Sequence, residues 1–278
     1  MAAVAVGRST LLSEIEEYVG RLLTVIDDLD DVDRPMPGFD WTIGETLRHL
    51  IAVYTGFAAS IYGGGEMLGQ YVPDIKDFRQ RLANTNLNTM ALVAPAPKEE
   101  LARQLSERFM ALRQALAEAD PAAICATPWY GPGQTRTPDM LAGLALGEVT
   151  IHGLDIARAS HVKWPISPEC ARMIIGSVFT AMLPSMVSAD IAEAMSFDVQ
   201  IRGGGPRFVV RLANGVAAVA PHDGEEKADC VISGEPVTFL LLGYGRVSQQ
   251  RAILSGRVLA WGRKPWQALS FNKAFPSP

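Results

Sequence analysis

Glu148 and His152 are the first residues in this chain whose types and spacing suggest chemistry. They lie four apart in the stretch 137–160, where Leu141, Leu144, Glu148, Ile151, His152 and Asp155 recur at three- and four-residue intervals. That recurrence is one face of a helix, so the carboxylate and the imidazole stand one turn apart on the side that should be buried. Burying both is costly unless something pairs with them. A divalent metal would do so, because carboxylate oxygen and imidazole nitrogen are ordinary ligands for zinc and similar ions. A structural Glu–His hydrogen bond inside a bundle is the other reading, and the pair alone does not separate the two. A metal would need a third ligand. His49 falls on the inner face of another predicted helix, between Leu50 and Val53, where it is either that ligand or a satisfied core histidine. His161 and His222 sit in turn-like contexts.

The elements that must carry these residues follow from hydrophobic periodicity. Residues 8–30 hold Leu11, Leu12, Ile15, Val19, Leu22, Leu23, Ile26 and Leu29 at helical spacing. A second helix restarts at Trp41 after Asp40, a candidate cap. Gly63, Gly64 and Gly65 form a break. Residues 74–92 contain Arg79 and Arg81, either exposed or available to grip a carboxylate. Residues 98–118 form a third long helix on Leu101, Leu105, Phe109, Leu112 and Leu116. A Pro/Gly loop with Trp129-Tyr130 then leads into the helix of Glu148, opened by Thr137 as cap and Pro138 in the first turn. Four long helices read as a four-helix bundle, a scaffold that builds metal sites from inward-facing side chains.

After residue 161 the pattern changes. One more helix is expected over 167–188, and then alternation typical of strands begins near Met195. Asn214-Gly215 is a hairpin signal. Further strands are expected over 228–233 and 254–262, with short helices after Gly234 and Lys264. The reading is α+β: a bundle over 1–165, and a second domain over 166–278 built on an antiparallel sheet.

Composition narrows the function classes. The chain has 278 residues, 48% apolar, and a net charge of −5. Residues 1–160 carry 13 Lys and Arg against 21 Asp and Glu, whereas residues 200–278 carry 10 against 5. This asymmetry supports two domains of different character and argues against a nucleic-acid binder. No run of about 18 apolar residues lacks charge, so no membrane span is expected. The start lacks the basic and apolar regions of a signal peptide. Cys125, Cys170 and Cys230 are distant from one another and odd in number. No disulfide framework or cysteine metal site is expected, and a reducing cytoplasm suits them. None is placed as an obvious nucleophile.

Two sets of residues carry a family resemblance. Trp41-Thr-Ile-Gly-Glu-Thr-Leu-Arg-His49-Leu, taken with Glu148-x-x-x-His152-x-x-Asp155, resembles the N-terminal domain of the mycothiol-dependent maleylpyruvate isomerase family, within the DinB-like metal-binding bundles. Ala228-Asp-Cys-Val-Ile-Ser-Gly and Leu254-Ser-Gly-Arg-Val-Leu-Ala-Trp-Gly resemble its sterol-carrier-protein-like C-terminal domain. The resemblance implies a divalent metal, usually zinc, on His49, Glu148 and His152. It also implies mycothiol as thiol cosubstrate and a small electrophile as its acceptor, a maleylpyruvate-like cis-enoyl acid. Isomerase and S-transferase outcomes both fit. Arg79 resembles a family arginine near the substrate, and Asp155 reads as a partner orienting a ligand imidazole or a helix neighbour, not as a fourth ligand. No nucleic-acid partner is implied, and the expected state is a monomer or small homo-oligomer. A rival reading is a non-catalytic carrier. In that reading the metal is structural, and Phe239, Leu240, Leu241, Trp261 and Trp266 line a lipid-like cavity. Otherwise those residues fill an ordinary core, and Arg202, Arg211 or Arg246 supply polar groups to the bundle site.

Overall fold

The computed structural model describes residues 7–38, 40–188, 191 and 193–277. The chain divides into two units, Gly7–Pro165 and a second beginning at Ile166.

Five helices build the first unit: α1 (Arg8–Asp27), α2 (Ile43–Ile61), α3 (Phe78–Met90), α4 (Lys98–Glu118) and α5 (Pro138–Ala159). The periodic leucines, isoleucines and aromatics of α1, α2 and α4 form the core, with Leu22, Leu47, Tyr54, Leu105 and Leu112 fully buried. Each such side chain contributes about 1.5–3 kcal/mol through burial, so packing rather than local propensity holds the helices. Neither α1 nor α4 has a basic residue in its last turn. The cation comes from elsewhere: Lys98 Nζ donates to the carbonyls of Asp27 and Leu29, and Arg8 donates to those of Leu116 and Ala119. Both satisfy otherwise orphaned carbonyls at the negative end of a helix dipole. Helix α3 buries only Thr85 and Met90 and lies outside the core.

Helix α5 is the buried centre of the unit. It is long and apolar enough, by length and composition, to cross a membrane, but most of that window is buried within the protein. Its start is as expected, with Pro138 in the first turn and Thr137 Oγ1 accepting from the Met140 amide at 3.3 Å. Near its far end Gly153 leaves space for Trp164: a Cβ there would meet the indole at 2.2 Å. The indole N–H donates to the Thr150 carbonyl at 3.0 Å. Helix α2 begins differently from the expectation. Its cap is Thr42, not Asp40, because Thr42 and Glu45 close a reciprocal capping box. Trp41 therefore lies outside the helix, free to turn onto its side.

The second unit opens with α6 (Pro168–Ile174), which runs through a π-helical turn (Ile175–Phe179) into α7 (Thr180–Met182). Strands β1 (Cys125–Ala126) and β2 (Thr135–Arg136) pair within the first unit. The second unit's sheet holds β3 (Met195–Ile201), β4 (Arg207–Ala213), β5 (Val216–Pro221), β6 (Cys230–Gly234) and β7 (Val258–Gly262), in the order β5-β4-β3-β6-β7. It is mixed, which corrects the antiparallel expectation: β3 and β6 run parallel. The β4–β5 hairpin turns at Asn214 and Gly215, both at positive φ. Helices α8 (Pro236–Gly243), α9 (Gln249–Leu254) and α10 (Ala268–Ala274) complete the unit. Residues 254–257 are not strand, because Ser248 caps α9 and Gly256, at φ +68, ends it.

Candidate metal centre

Helices α2 and α5 bring His49, Glu148 and His152 together. One potential ligand atom from each lies within 4.8 Å of the others. Glu148 Oε2 is 3.2 Å from His49 Nε2 and 3.3 Å from His152 Nε2. Around a tetrahedral zinc with ligands at about 2.1 Å, neighbouring ligand atoms are about 3.4 Å apart, so these spacings suit a common ion. Trp41 packs over the imidazoles, its ring centroid 5.1 Å from that of His49 and 6.5 Å from that of His152.

The surroundings of the two imidazoles sharpen the case. Asp155 is 4% exposed, and its Oδ2 lies 3.7 Å from His152 Nδ1. That separation is longer than a hydrogen bond, and the buried Nδ1 atoms of His49 and His152 have no hydrogen-bond partner among the described residues, while both Nε2 atoms face Glu148 Oε2. Burial pushes the His49 imidazole below its ordinary range, against the upward pull of Glu148. Burial raises the Glu148 carboxyl, but hydrogen bonds and charge from the two histidines outweigh it and hold it well below the usual carboxylate range. A neutral imidazole beside an ionised carboxylate is the state that binds a dication. The donor set therefore fits a divalent metal: two imidazole nitrogens, one carboxylate oxygen, and room for a further ligand.

A cavity of about 320 Å³ reaches this cluster at Glu148. Its lining comes from α2, α3, α4 and the Trp129-Tyr130 loop, with Phe57 stacked on Trp129 at 5.9 Å. The aromatic pair thus lines a pocket. Arg81 does not face that pocket as a free grip. It donates to the carbonyls of Ile75 at 2.9 Å and Tyr130 at 3.0 Å, tying the aromatic loop to α3. Arg79 is exposed on α3 and is absent from the cavity lining, so the structure does not join it to the cluster. Sequence reasoning missed Trp41 as a neighbour of both imidazoles. Its signal was the capping box beginning one residue later. It also missed Arg108 and Gln104, which line the cavity from one turn-spaced pair on α4.

In the second unit, Arg202 donates to the Arg257 carbonyl, Arg211 pairs with Glu226, and Arg246 donates to the Tyr244 carbonyl. Another cavity, of about 340 Å³, is lined by Phe239 and Trp266 together with Leu242, Ile253, Leu259 and Leu269. Leu240 is core, and Trp261 is 46% exposed on β7. Cys125, Cys170 and Cys230 are buried, and none forms a disulfide among the described residues.

Residues 12–157 match the family described as the mycothiol maleylpyruvate isomerase N-terminal domain, and residues 189–262 match the SCP-2 sterol transfer family. Among solved structures, the crystal structure of the mycothiol-dependent maleylpyruvate isomerase aligns at a TM-score of 0.56 and 13% identity, covering 94% of this chain and 95% of that one. The crystal structure of a histidine-to-alanine mutant of that isomerase aligns at the same TM-score with 12% identity, over the same shares of the two chains. At these identities the likeness establishes the fold. No curated protein sequence matches the chain.

Proposed function

This chain belongs to the mycothiol maleylpyruvate isomerase N-terminal domain family, and from that premise we propose that it is a thiol-dependent enzyme whose His49, Glu148 and His152 hold a divalent metal, zinc by the chemistry of the donors. The observation that carries the reading is the convergence of these three ligand atoms within 4.8 Å on two buried helices. A bound dication with an open position supplies positive charge that lowers the pKa of a thiol held there.

The chain's own groups have separable tasks. His49 and His152 give neutral nitrogens, and Glu148 gives the one negative charge. Asp155, buried with its Oδ2 3.7 Å from His152 Nδ1, would orient that imidazole from behind. Trp41 shields both imidazoles from water. Cys125, Cys170 and Cys230 do not compete as nucleophiles, since all are buried and burial raises the thiols of Cys125 and Cys230. This reading gives Arg79 no role.

In this reading the cosubstrate is mycothiol or a related low-molecular-weight thiol. Its sulfur, as thiolate, adds to one carbon of a cis double bond in a small electrophile such as a maleylpyruvate-like cis-enoyl acid. The π pair moves onto the neighbouring carbonyl, and the former double bond can rotate. Return of the pair expels the thiolate and leaves the trans isomer. Proton uptake at the adjacent carbon would instead keep the C–S bond and yield a conjugate.

The experiment is elemental analysis of protein purified without chelator, beside His152→Ala, followed by turnover assays with thiol and cis-enoyl acid pairs. About one zinc per chain, lost in the variant, with turnover that requires added thiol, is expected. A wild-type protein that takes up no divalent metal even when supplied with zinc sinks the reading. The SCP-2 match and the apolar cavity of the second unit favour a carrier as the second reading. A stoichiometric lipid extracted from the purified protein, with no thiol-dependent turnover, would support it.

A further inference from the structure

The first unit's cavity holds one charge that the metal centre does not use. Among the residues lining it, Glu148 and Arg108 are the charged ones. Glu148 is committed to the two histidines. Arg108, solvent-exposed on α4 where it borders the cavity, makes no hydrogen bond or ion pair among the described residues, although its neighbours on α4 are engaged: Arg103 pairs with Glu100 and Glu107, and Gln104 donates to Glu100. Most of the remaining lining is apolar, with Ile51, Ala52, Phe57, Leu82 and Val93 among it. Ala52 and Gly56, small residues one turn apart on α2, leave the space open. Asn86 on α3 adds an amide whose side chain makes no hydrogen bond among the described residues.

An apolar cavity with a single unmatched guanidinium selects an amphipathic anion. A carboxylate meets the planar donor fork of arginine with two parallel hydrogen bonds, while an apolar body gains by leaving water. The volume lies at the low end of small-molecule sites, about 300–1,000 Å³. We infer that Arg108 is the anion anchor of a substrate subsite, and that the electrophile this chain accepts is a monocarboxylate with an apolar body, lying in the cavity with its carboxylate on Arg108 and its far end toward Glu148. The assignment of the occupant as an electrophile rests on the thiol-enzyme reading, whereas the anion subsite stands on the cavity itself.

The test uses full-length protein and 4-phenylbutanoate, with 4-phenylbutanamide as its neutral counterpart, in isothermal titration calorimetry. Arg108→Ala is expected to weaken 4-phenylbutanoate binding by about tenfold or more, the loss that accompanies removal of a charge-assisted pair, and to leave the amide unchanged. Arg108→Lys should recover part of the affinity. Gly56→Leu should weaken both ligands by filling the cavity, since a Cβ there meets only the Leu68 methyl at 3.7 Å. His152→Ala, which removes the metal, should leave 4-phenylbutanoate binding within about threefold. The inference is overturned if wild-type protein does not bind the acid at millimolar concentration, if Arg108→Ala binds it as wild type does, or if only His152→Ala abolishes binding, which would put the carboxylate on the metal. Arg108-dependent binding without any thiol-dependent turnover would sustain the anion subsite and refute the enzyme reading.

Discussion

Glu148 in the first unit and Asp198 in the second are both carboxylates set in the fold with a histidine nearby. Asp198 Oδ2 lies 3.7 Å from His222 Nε2, much as Glu148 Oε2 lies 3.3 Å from His152 Nε2. The difference is the third partner. Arg207 grips Asp198 with two hydrogen bonds at 3.0 and 2.7 Å, and Gln200 adds another at 2.8 Å. Asp198 is thereby matched by a full positive charge and needs nothing further. Glu148 has only two imidazoles, one of them driven toward neutrality by burial. A histidine beside a carboxylate is therefore not in itself a sign of a metal site. What distinguishes the two is whether the protein supplies the cation.

The largest expected effect breaks the comparison on the open side. Glu148→Gln keeps the side-chain shape but removes the charge, and should weaken zinc binding by about 100-fold or more. Asp198→Asn should leave it unchanged, as measured against a competing chelator. Next, zinc at 100 times its dissociation constant should stabilise the wild type against urea by about 2.7 kcal/mol, and Glu148→Gln at the same concentration by no more than about 0.4 kcal/mol. On the closed side, Arg207→Ala leaves Asp198 charged, buried and half-satisfied. Because Arg207 is itself 47% exposed, the cost expected for a fully buried pair is discounted to about 1–2 kcal/mol. It should be read as a lower urea midpoint with unchanged metal content, and adding Asp198→Asn should recover part of it.

The smallest effect is a pH dependence. Burial raises the Asp198 carboxyl, but Arg207 and Gln200 outweigh it and hold it below the ordinary value of 3.8. The unfolded chain then binds the proton first as pH falls. The stabilisation is present above about pH 4 and declines below it. The stability gap between wild type and Asp198→Asn should accordingly narrow in urea titrations carried out below pH 4, and a gap that widens there would contradict the assignment.

Local signals in the sequence located most of what is close in the chain. The spacing of Leu101, Leu105, Phe109 and Leu112 marked α4, and Asn214-Gly215 marked the hairpin because both residues must take positive φ. The inner-face positions of His49, Glu148 and His152 were legible for the same reason: helical spacing fixes which side chains share a face. What stayed hidden depends on partners far apart in sequence. The parallel pairing of β3 with β6 leaves no trace in alternation, since either direction buries the same residues. Arg81 carries no mark that its targets are the carbonyls of Ile75 and Tyr130. Asp198, Arg207 and His222 meet only through strand register and the turn after β5. Even the start of α2 was decided by a competition between two plausible caps, which Thr42 wins because Glu45 can reach back to it.

The position of Trp41 has a consequence for how the protein can be observed. Its indole lies within stacking distance of both histidines, outside the helix that carries one of them. Any dication on those imidazoles draws electron density toward itself and alters the excited state of the adjacent ring. The emission of this one tryptophan, isolated as the difference between wild type and Trp41→Phe, should therefore change with each equivalent of metal and return on chelation, so that occupancy can be followed by light in a protein carrying no added label.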